Sequence, residues 1–403
     1  MNLQAPKGFK DYLPEEMYVR KYVLSVLESV FQSFGFEPLQ TPTLEYAEVL
    51  TGKYGEEADK LMYIFEDRGG RKVGLNYDLT VPTSRVLAQY QSQLPLPFKR
   101  YQIQPSYRAE NTQKGRYRQF IQCDVDSFGS SSPLADAEII AIIYTALKKL
   151  NFQKFTIRIN SRQVLFAALE KVGISDKTTQ LSVLQSIDKL DKKTEEEVIA
   201  ELSEKGIDKT LSINLIETIK KSEPDENLKQ VFNSLETLGV DKNFYEFVPF
   251  IVRGLDYYTG PIFETVVEEP KIGSITGGGR YDHLVKQLGG PDIPATGTTI
   301  GFERICDVIN ELGLLKDKTQ NTTKVLVTIF SPELADKSIE VSSRLRSSNI
   351  ATEIWLDQNT KLDKQLKYAD LKKIPYVIII GPDEAASEKV LLKDLRNRTQ
   401  QSL

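Results

Sequence analysis

The sequence predicts an α+β protein in which a core on a mainly antiparallel sheet is interrupted by a helical insertion and followed by a small α/β domain. Strand candidates follow one another with few intervening helices, which is typical of an antiparallel sheet. Residues 174–243 are rich in Lys, Glu, Asp, Leu and Ile at helical spacing, with few glycines. After a polar linker at residues 316–323, strand and helix patterns alternate.

The core begins with a helix and continues with short strands. The helix runs from about Glu15 to Ser33, because apolar residues recur every three or four positions between Pro14 at its start and Gly35 after its end. The predicted strands include a hairpin around residues 67–70 and come both before and after the insertion. The candidates before the insertion are Met62–Phe65, Lys72–Leu75, Phe98–Gln104, Arg118–Phe128 and Phe155–Asn160. After the insertion, strand-like and glycine-rich sequence returns at Val248–Val267, Gly273–Tyr281 and Gly297–Gly301.

The C-terminal part has a different pattern. Three apolar segments, Val325–Phe330, Thr352–Leu356 and Tyr376–Ile380, alternate with helical segments at Pro332–Ser347 and Lys361–Lys373. Strand–helix–strand order at this spacing predicts a small domain with a largely parallel core. We therefore expect a core domain at residues 1–320, interrupted by the insertion at about 174–243, and a second domain at residues 321–403.

Composition excludes several classes of protein. The chain has 403 residues, 52 of them Lys or Arg and 56 Asp or Glu, so nucleic acid could be bound only through local basic patches. The two cysteines, Cys123 and Cys306, exclude a disulfide framework and suit a reducing compartment. The single histidine, His283, excludes zinc proteases with paired histidine ligands, and Ser-His-Asp catalysis would depend on it alone.

Neither a signal peptide nor a membrane span is expected. The first eleven residues lack the apolar segment of a signal peptide. The longest apolar run, Ile139–Leu147, has nine residues, whereas a helix needs about 20 to cross a membrane. We expect a soluble, cytoplasmic protein with no membrane contact.

A basic stretch lies between Lys99 and Arg118. It contains six Lys or Arg residues and one acidic residue, Glu110, for a local charge of +5. Such a stretch can bind the phosphates of a nucleotide or a nucleic acid. It can equally be a solvated loop, and the charge run alone leaves both interpretations open.

The strand at the end of this stretch has two different faces, because side chains alternate along a strand. Ile121, Cys123 and Val125 share an apolar face. The other face carries a cation, a ring, an amide and two carboxylates, contributed by Arg118, Phe120, Gln122, Asp124 and Asp126. A solvent face seldom places Phe among acids, so this face is either a ligand-binding surface or an ordinary half-exposed strand.

Two glycine-bearing segments and one helix start also fit a binding site. Residues 253–260 place an Arg and two tyrosines in a strip flanked by turns, and the three glycines at 277–279 allow close backbone approach to a ligand. Residues 298–304 lead from a strand into a helix and place Arg304 near its N-terminus, which favours anions. The chain has neither a Walker A loop nor a dinucleotide-binding glycine pattern.

Together these segments resemble the histidyl-tRNA synthetases, a family of class II aminoacyl-tRNA synthetases, over nearly the whole chain. Residues 107–120 resemble motif 2, Ile300–Arg304 resemble motif 3, and Pro42 stands where motif 1 places its dimer-interface proline. Residues 253–260 and 277–282 resemble the two histidine-specific segments, and Lys364–Asp370 resemble the anticodon-binding domain. The resemblance implies the class II catalytic core, a homodimer, and charging of tRNA(His) with L-histidine at the expense of ATP, which Mg²⁺ accompanies.

The resemblance also implies a role for each matching residue. Arg108, Arg253 and Arg304 would be catalytic, with Arg108 bridging the histidine carboxylate and the ATP α-phosphate and Arg253 lying across that phosphate. Residues that would hold ATP are Glu110 near the adenine amino group, Phe120 stacked on adenine, and Arg116 and Arg304 on the outer phosphates. Residues that would hold histidine are Asp78, Thr80 and Gln122 at the α-amino group, Arg108 and Arg253 at the carboxylate, and Asp126, Tyr257, Tyr258 and Tyr281 around the imidazole. Gln113, in the motif 2 loop, would contact the acceptor end of tRNA.

Three positions differ from common family forms, and one alternative function remains open. Asn76-Tyr77-Asp78 stands where many bacterial members have Arg-Pro-Glu, Asp126 where Glu is frequent, and residues 111–112 are Asn-Thr instead of Arg-Pro. The alternative is the synthetase-like regulatory subunit of ATP phosphoribosyltransferase, which resembles the catalytic core. Such subunits usually lack the anticodon-binding domain and have degraded histidine-specific segments, whereas this chain has that domain and intact segments. A third possibility, a pure tRNA-binding module, would not need Arg108, Arg253 and Arg304 together.

Overall fold

The computed structural model describes residues 1, 3–52, 59–113, 115–252, 257–315 and 321–403. The chain forms two compact units. The larger unit comprises Met1–Asp11 and Val23–Leu315, and the smaller one combines Tyr12–Tyr22 with the C-terminal residues from 321 to 403.

The helices and strands of the described residues are numbered in chain order. The helices are α1 (Pro14–Ser33), α2 (Ala47–Leu50), α3 (Thr80–Tyr90), α4 (Pro133–Lys149), α5 (Arg162–Lys171), α6 (Lys177–Ile187), α7 (Glu195–Glu204), α8 (Lys209–Lys220), α9 (Glu226–Thr237), α10 (Leu284–Gln287), α11 (Phe302–Leu312), α12 (Ala335–Ser347), α13 (Leu362–Leu371) and α14 (Pro382–Ala386). The strands are β1 (Glu37–Pro38), β2 (Leu44–Tyr46), β3 (Ile64–Glu66), β4 (Lys72–Leu75), β5 (Phe98–Tyr107), β6 (Gln119–Phe128), β7 (Phe155–Ser161), β8 (Tyr245–Phe247), β9 (Pro261–Val267), β10 (Thr276–Arg280), β11 (Ala295–Gly301), β12 (Val325–Val327), β13 (Thr352–Ile354), β14 (Tyr376–Ile379), β15 (Leu391–Asp394) and β16 (Thr399–Ser402).

The larger unit is built on one sheet with the strand order β1-β5-β6-β11-β10-β9-β7-β8. All of its strand pairs are antiparallel except β1 with β5 and β7 with β8. The prediction of a mainly antiparallel sheet is therefore confirmed. The apolar run Ile139–Leu147 lies within α4, and most of its residues are buried. Among the described residues, no helix combines the length and the apolar character needed to cross a membrane.

The predicted hairpin is confirmed, and it belongs to a second sheet with the order β2-β4-β3. The Asp67 carboxylate closes its turn by accepting hydrogen bonds from the backbone N–H groups of Gly69 at 2.8 Å and Arg71 at 2.9 Å. A short carboxylate that bonds to the backbone just ahead of it is a common way to stabilise a turn.

The insertion is helical because its chain supplies an acceptor at each helix start. Asp176, Asp208 and Asp225 accept hydrogen bonds from backbone N–H groups in the first turns of α6, α8 and α9, and Thr194 forms a capping box with Glu197 at α7. The apolar faces of α5 to α8 pack together in one core, which also contains Ile251, Val252 and Ile262 of the adjoining sheet region. The insertion thus extends the core of the larger unit.

The C-terminal residues form a five-stranded sheet with the order β13-β12-β14-β15-β16. Strands β13, β12 and β14 are parallel, as the alternating pattern predicts. Strands β15 and β16 are antiparallel additions that the sequence analysis missed. All four residues of β16 are exposed and polar, so the strand has no apolar alternation that a pattern could detect.

Candidate active site

A pocket of about 1250 Å³ lies in the larger unit, against strands β6, β10 and β11. Every predicted site residue within the described part of the chain lines this pocket. These lining residues are Asp78, Thr80, Arg108, Glu110, Gln113, Arg116, Phe120, Gln122, Asp126, Tyr257, Tyr258, Tyr281 and Arg304. Arg253, the remaining predicted residue, and Lys114 of the basic stretch lie outside the described residues. The volume leaves room for more than one small molecule.

The glycines of β10 and β11 let the strands and the pocket wall come close together. A Cβ atom on Gly278 would overlap the carbonyl oxygen of Gly297 on the neighbouring strand, and one on Gly297 would overlap the Asp126 carboxylate. A Cβ on Gly279 would lie 3.0 Å from the Tyr258 ring. Close approach of a ligand was expected at the three glycines of residues 277–279. Gly277 and Gly278 do line the pocket, while a Cβ on Gly278 or Gly279 would first meet protein groups.

Asp126 is the centre of one end of the pocket. Its side chain is buried, and Tyr281 donates a hydrogen bond from its hydroxyl to Oδ1. Oδ2 lies 2.8 Å from the guanidinium of Arg100, which projects from the neighbouring strand β5. Burial raises the pKa of Asp126 above its usual range, and the charge of Arg100 and the Tyr281 hydroxyl offset this only in part. Burial also raises the pKa of Tyr281, so its hydroxyl stays protonated and remains a donor.

Asp124 lies two residues before Asp126, on the same face of β6. The hydroxyl of Thr299 on β11 donates a hydrogen bond to its Oδ1 and accepts one from the Gln122 amide at 3.1 Å. Burial and the nearby Asp126 raise the pKa of Asp124 to about 7, against the lowering effect of Arg100. Asp124 therefore holds its proton far more readily than an exposed aspartate does.

Three tyrosines form the aromatic wall beside Asp126. The ring centroids of Tyr257 and Tyr258 are 4.9 Å apart, and that of Tyr281 lies 5.7 Å from Tyr257 and 6.5 Å from Tyr258. Their rings meet at tilted or edge-on angles, which are favoured arrangements of aromatic pairs. A flat ring with two polar nitrogens could lie against this wall and still reach a carboxylate.

The start of α3 supplies another carboxylate. Asp78 is buried, and its Oδ1 accepts a hydrogen bond from the backbone N–H of Val81 at 3.1 Å. Thr80, the first residue of α3, lines the pocket next to it. The helix start thereby fixes the position of Asp78 relative to the sheet.

Arg108 lies between two aromatic rings at the other end of the pocket. Its Nε donates a hydrogen bond to the carbonyl oxygen of Tyr77 at 3.0 Å. The guanidinium carbon is 4.4 Å from the centroid of the Tyr77 ring and 5.1 Å from that of Phe120. One nitrogen is thus held by the backbone and two rings limit the side chain's freedom, so the guanidinium is preorganised for an anion.

Two further arginines line this end. Arg116 forms an ion pair with Glu110, and Arg304, in the first turn of α11, donates from Nη1 to the Ser274 carbonyl oxygen at 2.6 Å. Burial raises the pKa of Glu110, but Arg116, Arg108 and Arg304 together bring it below its usual value, so Glu110 is ionised at neutral pH. Gln113 and Arg116 exchange backbone hydrogen bonds of 3.1 and 2.9 Å, which places Gln113 in a tight exposed turn.

The structure separates the basic stretch into different environments. Arg108 and Arg116 line the pocket, whereas Arg100 is buried behind it. Lys99 pairs with Glu138 at 2.8 Å, and Arg118 donates from Nε to the Glu110 carbonyl oxygen at 3.2 Å. The stretch is therefore neither one phosphate-binding patch nor a solvated loop.

The sequence placed Asp124 on the candidate binding face of β6 and Arg100 in the basic stretch, but it gave no individual role to either of them or to Thr299. The alternation along β5 held a usable signal, because Arg100, Gln102 and Gln104 fall on one face and Tyr101 and Ile103 on the other. That polar face is buried, and its contacts are made by residues distant in sequence. Gln102 bonds to the hydroxyls of Thr83 at 3.0 Å and Thr41 at 2.8 Å.

In class II aminoacyl-tRNA synthetases, an antiparallel sheet carries the motif 2 arginine at a pair of strands and the motif 3 arginine at the start of a helix. Arg108 directly after β5 and Arg304 in the first turn of α11 have these positions here. The chain is a member of that class. Residues 8–305 match the family described as "Histidyl-tRNA synthetase", and residues 324–403 match the "Anticodon binding domain". The chain belongs to the histidyl-tRNA synthetase family.

Individual relatives agree with this placement. A histidine–tRNA ligase of Gloeobacter violaceus is 39% identical over 447 residues, which cover 98% of this chain and 95% of that protein. One from Rhodopirellula baltica is also 39% identical and covers 98% and 94%. The crystal structure of a histidyl-tRNA synthetase from Nostoc sp. PCC 7120 superposes with a TM-score of 0.88 at 31% identity and covers 100% of this chain and 97% of the other.

Proposed function

We propose that the chain is a histidine–tRNA ligase, which activates L-histidine with ATP to histidyl-adenylate and transfers the histidyl group to the 3′ end of tRNA(His). The observation that carries this proposal is the common pocket of the predicted residues, with carboxylates and tyrosines at one end and arginines at the other. A cationic amino group and an imidazole match the first end, and phosphates match the second.

The imidazole of histidine is placed between Asp126 and Tyr258. One ring nitrogen of a neutral imidazole donates and the other accepts, so opposed polar partners select histidine better than size alone could. Tyr281 holds Asp126 from the side, and Tyr257 packs against both tyrosines. The α-ammonium group is placed at Asp78, Thr80 and Gln122, where the Asp78 carboxylate lies beside its positive charge.

The phosphates of ATP are placed at the arginine end. Phe120 stacks on adenine, Glu110 accepts from the adenine amino group, and Arg116 and Arg304 hold the outer phosphates. Because Arg116 and Glu110 pair with each other in this structure, ATP binding has to exchange that pair for contacts with the nucleotide. Arg108 then bridges the α-phosphate and the histidine carboxylate, for which its fork of N–H groups is suited.

The reaction proceeds in two displacement steps. In the first, a histidine carboxylate oxygen attacks the α-phosphorus and pyrophosphate leaves. Arg108 and Arg253 stabilise the charge that develops on the α-phosphate oxygens. In the second, a terminal ribose hydroxyl of the tRNA attacks the carbonyl carbon of the adenylate and AMP leaves. Gln113, in its exposed turn, is placed to contact the acceptor end.

Mg²⁺ is proposed only as a companion of the ATP phosphates. Among the described residues there is no group of three or more His, Cys, Asp or Glu side chains that could hold a metal ion. Mg²⁺ commonly binds through substrate phosphates and water with few protein ligands, so this donor set fits an ion that arrives with ATP. No step above depends on it.

The small unit is proposed to bind the anticodon, which suits its match to an anticodon-binding domain. That domain and the intact histidine-specific segments favour the ligase over the regulatory subunit of ATP phosphoribosyltransferase. Because its tRNA substrate serves cytoplasmic translation, we place the enzyme in the cytoplasm.

A second copy of the chain is proposed to cover one face of the β2-β4-β3 sheet. Leu44, Tyr46 and Phe65 lie on this face and are exposed by 46%, 51% and 45%, with Val73 of β4 between the latter two. Several large apolar side chains on one exposed sheet face are typical of an interface. The face adjoins Pro42, where the motif 1 resemblance places the dimer contact.

We expect the combined change Tyr46→Glu and Phe65→Glu to convert a dimer into a monomer in analytical ultracentrifugation at micromolar concentration, because each change buries a charge in the interface. Leu238→Glu is the control and should leave the mass unchanged, because Leu238 is also exposed but follows the last residue of α9, outside this sheet. A double variant that sediments as the wild type does would contradict this interface.

Gly297→Ala tests the placement of histidine. The added methyl group overlaps the Asp126 carboxylate and must displace it. We expect the KM for histidine to rise by about tenfold or more, the scale of about 1.4 kcal/mol for a disturbed hydrogen bond to a charged group, with little change in the KM for ATP. Gly69→Ala, whose Cβ would lie 3.2 Å from the Asp67 carboxylate in the hairpin, is the matched control. An unchanged KM for histidine would argue against Asp126 as the imidazole acceptor.

The decisive test of the proposed function is ATP–pyrophosphate exchange with each of the twenty amino acids in turn. We expect exchange with histidine and only background with the others. Aminoacylation of tRNA(His) should follow with the same amino acid. A folded chain that catalyses no histidine-dependent exchange would overturn the ligase and favour the regulatory subunit.

A further inference from the structure

The guanidinium of Arg100 lies completely buried behind the imidazole end of the pocket. Arg100 is 0% exposed and does not line the pocket itself. On β5 it lies directly opposite Asp126 of β6, so the two side chains share one face of the sheet, and its Nη2 is 2.8 Å from Asp126 Oδ2. Its Nε, Nη1 and Nη2 have no hydrogen-bond partner among the described residues, so the contact with Asp126 Oδ2 is an ion pair.

We propose, on the basis of the proposed function, that Arg100 is a positioning residue for histidine selection. It holds the Asp126 carboxylate ionised and in one orientation. Arg100 binds Oδ2 from behind and Tyr281 binds Oδ1 from the side. An ionised carboxylate is purely an acceptor, whereas a protonated one can also donate. The charge state of Asp126 therefore decides which imidazole nitrogen it can bind.

Burial makes this assistance necessary. A carboxylate removed from water tends to take up a proton unless a cation is near. Four groups act on Asp126 from the surrounding elements: Arg100 of β5, Asp124 of β6, Asp78 before α3, and Tyr281 after β10. Arg100 is the cation among them, and the two aspartates act in the opposite direction.

The neighbouring Asp124 supports the assignment of Arg100 to Asp126. Asp124 and Asp126 both interact with Arg100, but Oδ2 of Asp126 has the direct 2.8 Å contact. Burial raises the pKa of both acids despite Arg100, so the pair tends to keep one proton. One shared proton leaves one cation opposite one carboxylate, and the direct contact with Arg100 favours Asp126 as the ionised member.

The test compares four variants and one control in histidine-dependent ATP–pyrophosphate exchange. Arg100→Met removes the charge at similar length, and Arg100→Lys retains the charge without the fork. Asp126→Asn and the double variant Arg100→Met with Asp126→Asn complete a double-mutant cycle. Lys99→Met is the matched control, because Lys99 directly precedes Arg100 on β5 and pairs with Glu138 instead of Asp126.

We expect Arg100→Met to raise the KM for histidine by about 10- to 100-fold, the range of the penalty for a charged hydrogen-bond partner left uncompensated, with the KM for ATP within about threefold of wild type. Arg100→Lys should recover most of the loss. In Arg100→Met, the KM for histidine should also improve more steeply with rising pH than in wild type, because Asp126 then has to lose its proton without help. The titration of the substrate imidazole is common to both proteins and does not affect this difference.

The cycle separates positioning from a merely structural role. If Arg100 acts through Asp126, Arg100→Met has no further effect on the KM for histidine once Asp126 is Asn. The double variant carries no buried charge at this pair, and neutral replacements of buried pairs are often tolerated, so it remains measurable even if Arg100→Met is unstable.

Three results would overturn the inference. One is a normal KM for histidine in Arg100→Met, another is an equal rise for ATP and histidine, and the third is the full Arg100→Met effect in the Asp126→Asn background. Each requires a wild type that exchanges pyrophosphate with histidine. Absence of that wild-type activity would instead overturn the proposed function, and the inference with it.

Discussion

Arg108→Ala is expected to lower histidine-dependent ATP–pyrophosphate exchange by about 10²–10³-fold, the scale for loss of one preorganised donor to a developing anion. The guanidinium is held before any ligand arrives, through the Tyr77 carbonyl oxygen at 3.0 Å and the rings of Tyr77 and Phe120. The histidine carboxylate and the ATP α-phosphate both approach the Arg108 guanidinium. Loss of this cation removes its attraction for each anion and leaves the repulsion between the two anions uncompensated. The effect should therefore lie mainly in kcat.

The conservative variant distinguishes charge from geometry. Arg108→Lys keeps the positive charge but offers one ammonium group where two ligands need a fork, so we expect activity between those of Ala and wild type. Arg346→Ala, at an exposed arginine of α12 that bonds to the Thr352 carbonyl oxygen at 3.1 Å, is the control for the exchange assay. Activity of Arg108→Ala within about tenfold of wild type would contradict a transition-state role for Arg108.

The binding face of β6 could be predicted because a strand alternates with a fixed period. Phe120, Gln122 and Asp126 were placed on one face from their spacing alone, and all three line the pocket. Burial of Asp124 and Asp126 could not be predicted in the same way. It depends on α3 and on strands β5, β10 and β11, which are brought there from up to about 180 residues away by the sheet order.

The partner of a buried charge was the main feature that the sequence could not supply. In the linear sequence, the basic stretch that contains Arg100, Arg108 and Arg116 looks like a single charged patch. In the sheet, Arg100 points to the buried face, whereas Arg108 and Arg116 lie beyond it where β5 turns into β6. Gly297 shows the same limit, because its need for a missing Cβ comes from Asp126, which is far away in the sequence.

A chain ending at Leu315 is expected to keep histidine-dependent exchange but to lose charging of full-length tRNA(His) by about 10²-fold or more. All predicted site residues among the described ones belong to the larger unit, which ends there. Contacts at the anticodon and at the acceptor end act as linked binding events, and linkage can add about 10²–10⁴ to the affinity of either alone. Removing one set therefore weakens tRNA capture without touching adenylate formation.

Truncation also removes the residues that pack with the N-terminal segment Tyr12–Tyr22. Within the smaller unit, the Tyr18 hydroxyl donates to Asn321 Oδ1 at 3.3 Å, and Lys373 lies 3.4 Å from Glu15. Thermal unfolding and sedimentation are therefore measured beside activity. Loss of exchange together with a lower melting temperature would report damage to the larger unit.

A minihelix that copies only the acceptor stem of tRNA(His) separates the two causes of lost charging. It has no anticodon, so the smaller unit can add nothing to its binding, and the full and shortened chains should charge it at similar rates. Full-length tRNA should discriminate strongly between the same two proteins, since only the complete chain can hold both of its ends. Equal charging of full-length tRNA by both proteins would refute the anticodon-binding role. A shortened chain that exchanges pyrophosphate normally but fails on the minihelix would show that the C-terminal residues act on the acceptor end instead.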